Sequence, residues 1–152
     1  MQEELPRERH ELLIMALVAK LDQRLIGYIT TLENLTKARV KDAFISDETV
    51  IFIVYQGDAG KAIGRRGESI RRLTYLLKRK IKIIELSTNV SDFIKSVIDP
   101  LKVDKIDVKE NAIVLSVHDS STKGKIIGRN GKTLKLLNDL VDKYFHTSVI
   151  VS

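Results

Sequence analysis

Two parts of the chain carry the apolar pattern of paired β-strands. Residues 50–55, Val-Ile-Phe-Ile-Val-Tyr, are β-branched or aromatic, a composition typical of a buried strand. Around Ile106 and Val108 apolar residues alternate with charged ones, which indicates a strand with one buried face. Turn-like residues divide each part into two. The predicted strands are Arg39–Ser46 and Thr49–Gln56 in the first pair, and Val103–Glu110 and Ala112–His118 in the second.

Helical spacing dominates the segments around these strand pairs. Apolar residues recur at three- and four-residue intervals across Asp22–Thr36, which predicts a helix there. An amphipathic helix is also predicted after each strand pair, followed by a final strand. The apolar stripes of these two helices are Ile70, Leu73 and Leu77, then Leu134, Leu137 and Val141. The final strands are Lys80–Leu86 and Thr147–Val151.

Two further helices complete the prediction. A short helix is expected to begin with Ser91 as its cap and to end before Asp99-Pro100. Residues 1–21 lie outside the regular pattern, and we expect them to form a separate helix with Leu13, Leu17 and Leu21 along one side.

Seven of the eight glycines lie in two short windows, residues 57–67 and 124–131, which align at an offset of 64 residues. Gly60-Lys-Ala-Ile-Gly-Arg-Arg-Gly67 matches Gly124-Lys-Ile-Ile-Gly-Arg-Asn-Gly131 at six of eight positions. Each window follows a strand pair and precedes an amphipathic helix. The chain is therefore an internal repeat of helix, strand, strand, short helix, loop, long helix and strand.

Positive charge is concentrated at the same two windows. Residues 61–82 hold nine lysines or arginines and a single acid, Glu68, and residues 123–135 hold five basic residues and no acid. The whole chain has a net charge of +6, so the residues outside these two windows carry a net negative charge. Clustered charge of this kind indicates a polyanionic partner.

The loop inside each window has the chemistry of a phosphate site. Glycine accepts positive φ and lets another backbone pass close by. The long helix is expected to begin at the second glycine, so its N–H groups and positive dipole end face the loop, where an anion binds favourably. Arg65, Arg66 and Arg129 add charge, while Ile63 and Ile127 are predicted to form the apolar floor of a groove.

The repeated unit resembles the KH domain, a small RNA-binding fold recognised by a Gly-x-x-Gly loop. The additional helix and strand precede the core, as in the type II, prokaryotic-type KH fold. The tandem pair and the phrase Gly57-Asp-Ala-Gly-Lys-Ala-Ile-Gly64 are similar to archaeal NusA-like transcription factors. The resemblance implies an α+β fold of two KH domains, each a three-stranded sheet packed on helices. The expected limits are 1–21 for an N-terminal helical extension, 22–88 for the first KH domain and 89–152 for the second.

The function implied is the binding of single-stranded RNA by a transcription elongation or termination factor. The expected RNA-binding residues are Lys61, Ile63, Gly64, Arg65, Arg66, Gly67, Arg71, Lys125, Ile127, Gly128, Arg129, Asn130, Gly131 and Lys132. Asn130 occupies in the second loop the position that Arg66 occupies in the first, but it carries no charge. The second loop is therefore expected to bind RNA more weakly. The linker Ser87–Asn89 is short, which predicts one continuous track of roughly eight to ten nucleotides.

The partner beyond RNA is left open by the resemblance. RNA polymerase is expected for a transcription factor, whereas the ribosome is expected for the alternative, a KH factor in ribosome assembly or translation. A third alternative, a protein-interaction module with degenerate KH folds, is disfavoured by the intact basic loops.

Other chemistry is poorly supported. Gly128-Arg-Asn-Gly-Lys-Thr133 resembles a nucleotide-binding P-loop, but that motif needs four residues between its glycines and this segment has two. The three histidines are scattered, and Asp58 and Asp119 are interpreted as helix caps. We expect no enzymatic activity, no cofactor and no metal ion. Phe52 and Phe93 are expected in the core, which disfavours an RNA-binding sheet lined with exposed aromatics.

Compartment and assembly follow from simpler features. The chain has no cysteine, so disulfides and thiolate chemistry are excluded and a cytoplasmic location is favoured. The longest apolar run, residues 12–19, is too short to span a membrane and follows an acidic segment unlike that of a signal peptide. A monomer without membrane contact is expected. Met15 is an alternative candidate for the initiating residue.

Overall fold

One helix, α1, runs without a break from Glu4 to Thr36. The sequence pattern had predicted two helices, over residues 1–21 and Asp22–Thr36, and this division is wrong. Residues 20–24 contain neither glycine nor proline, so nothing interrupts the backbone hydrogen bonding between the two predicted segments. The computed structural model describes residues 4–152, with side chains from residue 8, so residues 1–3 of the expected extension lie outside the described part.

The chain divides between Ile83 and Ile84 into two units. The first contains α1 and then, in chain order, β1 (Val40–Ser46), β2 (Thr49–Val54), α2 (Ala59–Ile63), α3 (Glu68–Leu77) and β3 (Lys80–Glu85), whose last residues pass the division. Within the described residues these strands form a three-stranded sheet in the order β1-β2-β3, with β1 and β2 antiparallel.

The core of the first unit lies between this sheet and its helices. Phe52 on β2, Leu32 on α1 and Leu73 on α3 are fully buried in one cluster. Leu25, Tyr28 and other residues of α1 pack against that cluster. The C-terminal part of α1 therefore belongs to this unit, in agreement with the prediction of a helix over Asp22–Thr36.

The second unit repeats the arrangement without a long first helix. It contains α4 (Val90–Ile98), β4 (Lys105–Val108), β5 (Ile113–Ser116), α5 (Ser120–Ile127), α6 (Lys132–Phe145) and β6 (Val149–Val151). Among the described residues its sheet has three strands in the order β4-β5-β6, with β4–β5 antiparallel and β5–β6 parallel. Both units thus have the α+β architecture that the repeat predicted, and each observed strand lies within its predicted range.

Phe93 on α4 is fully buried in the second unit and contacts the rings of Tyr144 and Phe145, at centroid distances of 5.7 Å and 5.3 Å. This confirms that Phe93, like Phe52, is a core residue. The cap of α4 was predicted wrongly: Asn89, not Ser91, is the N-cap, and its Oδ1 accepts a hydrogen bond from the backbone N–H of Asp92 at 3.1 Å.

The longest helix of the described residues is α1. Among those residues, no helix combines the length and the hydrophobicity that crossing a bilayer requires.

Candidate nucleic-acid interface

The two glycine loops have the same backbone conformation. Gly64 has φ 78° and ψ 170°, and Gly128 has φ 79° and ψ 171°. Arg66 and Asn130, each two residues later, are both left-handed, with φ of 56° and 58°. In each loop the second glycine donates its N–H to the carbonyl of the first at 3.1 Å. The aligned windows therefore fold into the same tight turn.

Only glycine fits the first position of each turn. Its combination of positive φ with ψ near 170° is a region that residues with a Cβ avoid. A Cβ added to Gly64 would lie 2.8 Å from the backbone nitrogen of Ser69, and one added to Gly128 would lie 2.9 Å from that of Thr133. Each loop therefore packs directly against the first turn of the long helix. The sequence alignment paired Ser69 with Thr133 but assigned neither a role.

The second glycine of each loop is the N-cap of a long helix, as predicted: Gly67 for α3 and Gly131 for α6. Because both cap residues are glycines, neither offers a side-chain acceptor to the first N–H groups of its helix. The positive end of each helix dipole therefore faces its loop, an arrangement that favours an anion such as phosphate. The first turn of α6 has no acidic residue, whereas that of α3 contains Glu68.

The basic side chains predicted around these turns differ in their surroundings. Arg65, Arg66 and Arg129 are exposed, and no carboxylate in the described part of the chain pairs with them. Lys125 and Lys132 are exposed as well. The predicted residues at the loops thus present several accessible cations.

Two predicted site residues make contacts within the protein. Lys61 Nζ lies 3.7 Å from Asp58 Oδ1, so part of its charge is compensated. Arg71 Nη1 donates a hydrogen bond to the carbonyl oxygen of Arg66, which fastens the first loop to α3. At the aligned position of the second unit, Lys135 has no equivalent bond to the Asn130 carbonyl among the described residues.

The isoleucines before the loops are partly accessible. Ile63 is 37% exposed, while its neighbour Ala62 is fully buried. In the second unit Ile126 is fully buried and Ile127 is half-buried. The buried residue of each pair holds the short helix to its unit, and the next side chain remains available beside the loop.

Asp58 is buried beside the first loop and does not cap α2 through its side chain, so that prediction is wrong. Its Oδ2 instead accepts hydrogen bonds from Arg39, from the backbone N–H at 2.8 Å and from Nε at 3.1 Å. The backbone bond from Arg39, followed by the side-chain bond, holds the pKa of Asp58 below its usual value. Sequence reasoning missed this contact, because no periodic pattern links residues 19 positions apart.

Asp119 does cap its helix as predicted, accepting hydrogen bonds from the backbone N–H of Thr122 at 2.9 Å and from the Thr122 hydroxyl at 2.6 Å. These bonds lower the pKa of Asp119.

His118 is exposed, and its Nδ1 lies 2.9 Å from Asp104 Oδ2. Asp104 also accepts a hydrogen bond from the His118 backbone N–H, and this bond lowers the pKa of Asp104. Among the described residues no three histidine or carboxylate side chains are grouped as metal ligands.

Comparison with known proteins agrees with the geometry. Residues 28–100 match the KH domain family. The chain is 33% identical to the probable transcription termination protein NusA of Methanococcus vannielii, over 82% of this chain and 73% of that protein. It is 25% identical to the protein of the same name from Halococcus morrhuae, over 79% and 88%. The crystal structure of APE1850 superposes with a TM-score of 0.64 at 28% identity, covering 84% of this chain and 96% of that one.

Two sheet-and-helix units, each with a glycine loop at the start of a long helix, define a protein of tandem KH-type domains. The chain belongs to the archaeal NusA-like family of KH-domain proteins, as its glycine windows predicted.

Proposed function

We propose that this protein is an RNA-binding transcription factor that holds single-stranded RNA with both glycine loops. The observation that carries the proposal is the matching turn at Gly64–Gly67 and Gly128–Gly131, each next to the N-terminus of a long helix and an exposed arginine. A phosphate group placed there meets helix N–H groups and a guanidinium together, and RNA offers such a group at every nucleotide.

The roles that we propose follow the surroundings of each side chain. Arg65, Arg66 and Arg129 attract the backbone electrostatically, with Lys125 and Lys132 as further cations. Bases lie against Ile63 and Ile127, since aliphatic side chains beside a Gly-x-x-Gly loop provide an apolar surface. Lys61 contributes less than its charge suggests because Asp58 is near it. Arg71 positions the first loop through the Arg66 carbonyl rather than by binding RNA directly.

The two loops are unequal in this proposal. Asn130 stands at the left-handed position that Arg66 occupies, and its amide can accept or donate hydrogen bonds but brings no charge. The first loop is also braced by Arg71. We therefore assign the stronger binding of RNA to the first loop.

The domain limits that we propose are 22–88 and 89–152 for the two KH domains, with residues 1–21 as an N-terminal extension whose described part belongs to α1. The names of the relatives favour transcription over a role on the ribosome, so RNA polymerase is the partner that we propose. Such a factor works where transcripts are made, which corresponds to the cytoplasm. Copurification tests this assignment: recovery of ribosomal subunits in place of polymerase subunits would refute it.

RNA binding itself is tested by measuring affinity for a single-stranded oligonucleotide over a range of salt concentrations. Several phosphate contacts predict a log–log slope of several units, at about 0.7 per contact for single strands. Binding that is absent at low salt, or that does not respond to salt, contradicts the proposal.

A charge reversal locates the site. Arg65→Asp with Arg66→Asp is expected to remove most of the affinity, with little change in the unfolding temperature because both side chains are exposed. The matched control, Lys41→Asp with Lys109→Asp, makes the same change in net charge at exposed positions away from the loops and should retain binding. Arg129→Asp with Asn130→Asp should have a smaller effect; an equal or larger loss would reverse the ranking of the loops.

A further inference from the structure

Tyr75 is the most exposed large apolar side chain in the described part of the protein, with 80% of its surface accessible. It lies on α3, on the side opposite the fully buried Leu73, because two residues along a helix change the direction by about 200°. Among the described residues, no other ring and no cation contacts the Tyr75 ring. The ring is therefore available to stack on a flat group from another molecule.

The surroundings of Tyr75 on α3 are basic. Arg71 and Arg72 precede it by four and three residues, so they are its neighbours on the preceding turn, and both are exposed. Lys78 follows Tyr75 by three residues at the C-cap of the helix and is exposed as well. Glu68 is the only acid in α3. An aromatic ring among cations is typical of surfaces that bind single-stranded nucleic acid, because bases stack on the ring and phosphates pair with the cations.

This surface is continuous with the first glycine loop. The Arg71 guanidinium donates a hydrogen bond to the Arg66 carbonyl, so it links the loop to the turn of α3 that precedes Tyr75. Tyr75 lies eight residues after Gly67, the N-cap of α3, which is about 12 Å along the axis at 1.5 Å per residue. An RNA strand that leaves the loop along this helix reaches the ring within a few nucleotides.

The aligned face of α6 has a different composition. At the repeat offset of 64 residues, Arg72 corresponds to Leu136 and Tyr75 corresponds to Asp139. Leu136 is half-buried, and Asp139 is exposed. A carboxylate at the position of the ring repels a phosphate backbone and offers no surface for stacking. The aromatic and basic face is thus a property of the first unit that the repeat does not share.

We propose that Tyr75 stacks on a base of single-stranded RNA beyond the nucleotides held by the first loop, while Arg72 and Lys78 contact the neighbouring phosphates. The inference rests on the proposed RNA-binding function and extends it, because Tyr75 belongs to neither loop. RNA is the occupant that the charge favours, since cations on the turns before and after the ring match the phosphates on either side of a base. Stacking accepts every base, so the contact lengthens the bound segment without adding sequence preference.

Tryptophan fluorescence tests the stacking directly, because the natural chain has no tryptophan. Tyr75→Trp places a single indole at the proposed contact. An RNA oligonucleotide of about twelve nucleotides, longer than the roughly four that one KH loop holds, should quench its emission strongly, since an indole stacked on a base loses fluorescence. The matched control is Asp139→Trp, at the aligned position of α6, and its emission should change little at saturating RNA.

Affinity measurements separate the ring from the loop. Tyr75→Ala should weaken binding of the long oligonucleotide by about 5- to 100-fold, the effect of losing one stacked base, whereas Tyr75→Phe should keep most of the affinity because its ring stacks as well. Neither change should alter the unfolding temperature, since the side chain is exposed. An oligonucleotide of about four nucleotides fills only a loop, so it should bind Tyr75→Ala as it binds wild type.

Failure of this inference and failure of the proposed function give different results. The stacking role is overturned if wild type binds the long oligonucleotide and Tyr75→Ala binds it equally well, or if saturating RNA leaves the Tyr75→Trp emission unchanged. An equal loss of affinity for both oligonucleotides would also contradict it, because Tyr75 would then act through the loop. If wild type binds neither oligonucleotide, the proposed function itself fails. A Tyr75→Ala variant that keeps its RNA affinity but no longer copurifies with RNA polymerase would assign the ring to a protein interface instead.

Discussion

The carboxylate of Asp58 accepts both the backbone N–H and the side-chain Nε of Arg39, at 2.8 Å and 3.1 Å. Arg39 immediately precedes β1, and Asp58 immediately precedes α2, the helix that leads into the first loop. The Arg39 guanidinium also lies over the ring of Tyr55, 5.3 Å from its centroid. These contacts fasten the start of the sheet to the helix that carries Gly64, so they determine where the first loop is held.

Asp58→Asn should therefore lower the stability of the first unit in a pH-dependent way. The folded pKa of Asp58 is depressed, chiefly by the Arg39 backbone bond. Its stabilising contribution is present above the usual carboxyl pKa and is lost as the pH falls through the lowered value. The variant should unfold at a lower denaturant concentration than wild type at neutral pH, and the difference should shrink as the pH falls below the usual carboxyl value of 3.8.

The matched control for this measurement is Asp139→Asn, at an exposed position on α6. This control should unfold at the same denaturant concentration as wild type, both at neutral pH and in acid. An Asp58→Asn variant whose deficit is unchanged in acid would show that the ionised carboxylate is not what stabilises this junction.

Alanine at Gly128 and at Gly124 should have opposite effects. Gly128→Ala forces a side chain into a strained backbone region and against the Thr133 nitrogen, so we expect a loss of about 2–4 kcal/mol in the free energy of unfolding. Gly124 lies inside α5, and an added Cβ there meets nothing within 4 Å. Gly124→Ala should stabilise by about 0.5–1 kcal/mol through helix propensity. Urea titration of both variants measures this, and equal effects would contradict a special role for the first glycine.

Exchanging the left-handed residues of the two loops should separate stability from binding. Asparagine tolerates this conformation better than arginine, so Arg66→Asn should raise the free energy of unfolding by about 0.5–1 kcal/mol. The same change removes a loop charge, so RNA affinity should fall. Asn130→Arg should do the reverse on both measurements. Weaker RNA binding by Asn130→Arg would contradict the electrostatic role given to this position.

The predictions that held were those carried by local or repeated signals. The β-branched run at residues 50–55 predicted a buried strand because side-chain alternation and backbone preference act over a few residues. The glycine windows predicted two equal turns because such a turn needs positive φ, which Gly64 and Gly128 adopt without steric strain. Because the two windows are aligned copies, the turn predicted in one supported the same prediction in the other.

The predictions that failed concern choices between alternatives that the local sequence permits equally. Asn89 and Ser91 are both good helix caps, and the position at which the chain enters α4 selects Asn89. Aspartate is a common helix cap, but Asp58 instead accepts hydrogen bonds from Arg39, a residue that comes near it only when the chain folds. The division of α1 at residue 21 was drawn because residues 1–21 lie outside the repeat, although helical hydrogen bonding continues across the start of the repeat.

By itself, then, the sequence determined the repeat, the α+β order of elements and the two basic Gly-x-x-Gly turns, because each depends on interactions within a few residues of the chain. Only the tertiary structure decided that Gly64 rests on Ser69, that Arg71 braces the first loop and that α1 leaves Leu17 uncovered. Those properties depend on which surfaces meet after folding. A hydrophobic stripe shows that a helix face needs a partner, but packing alone determines which part of that face the protein covers itself.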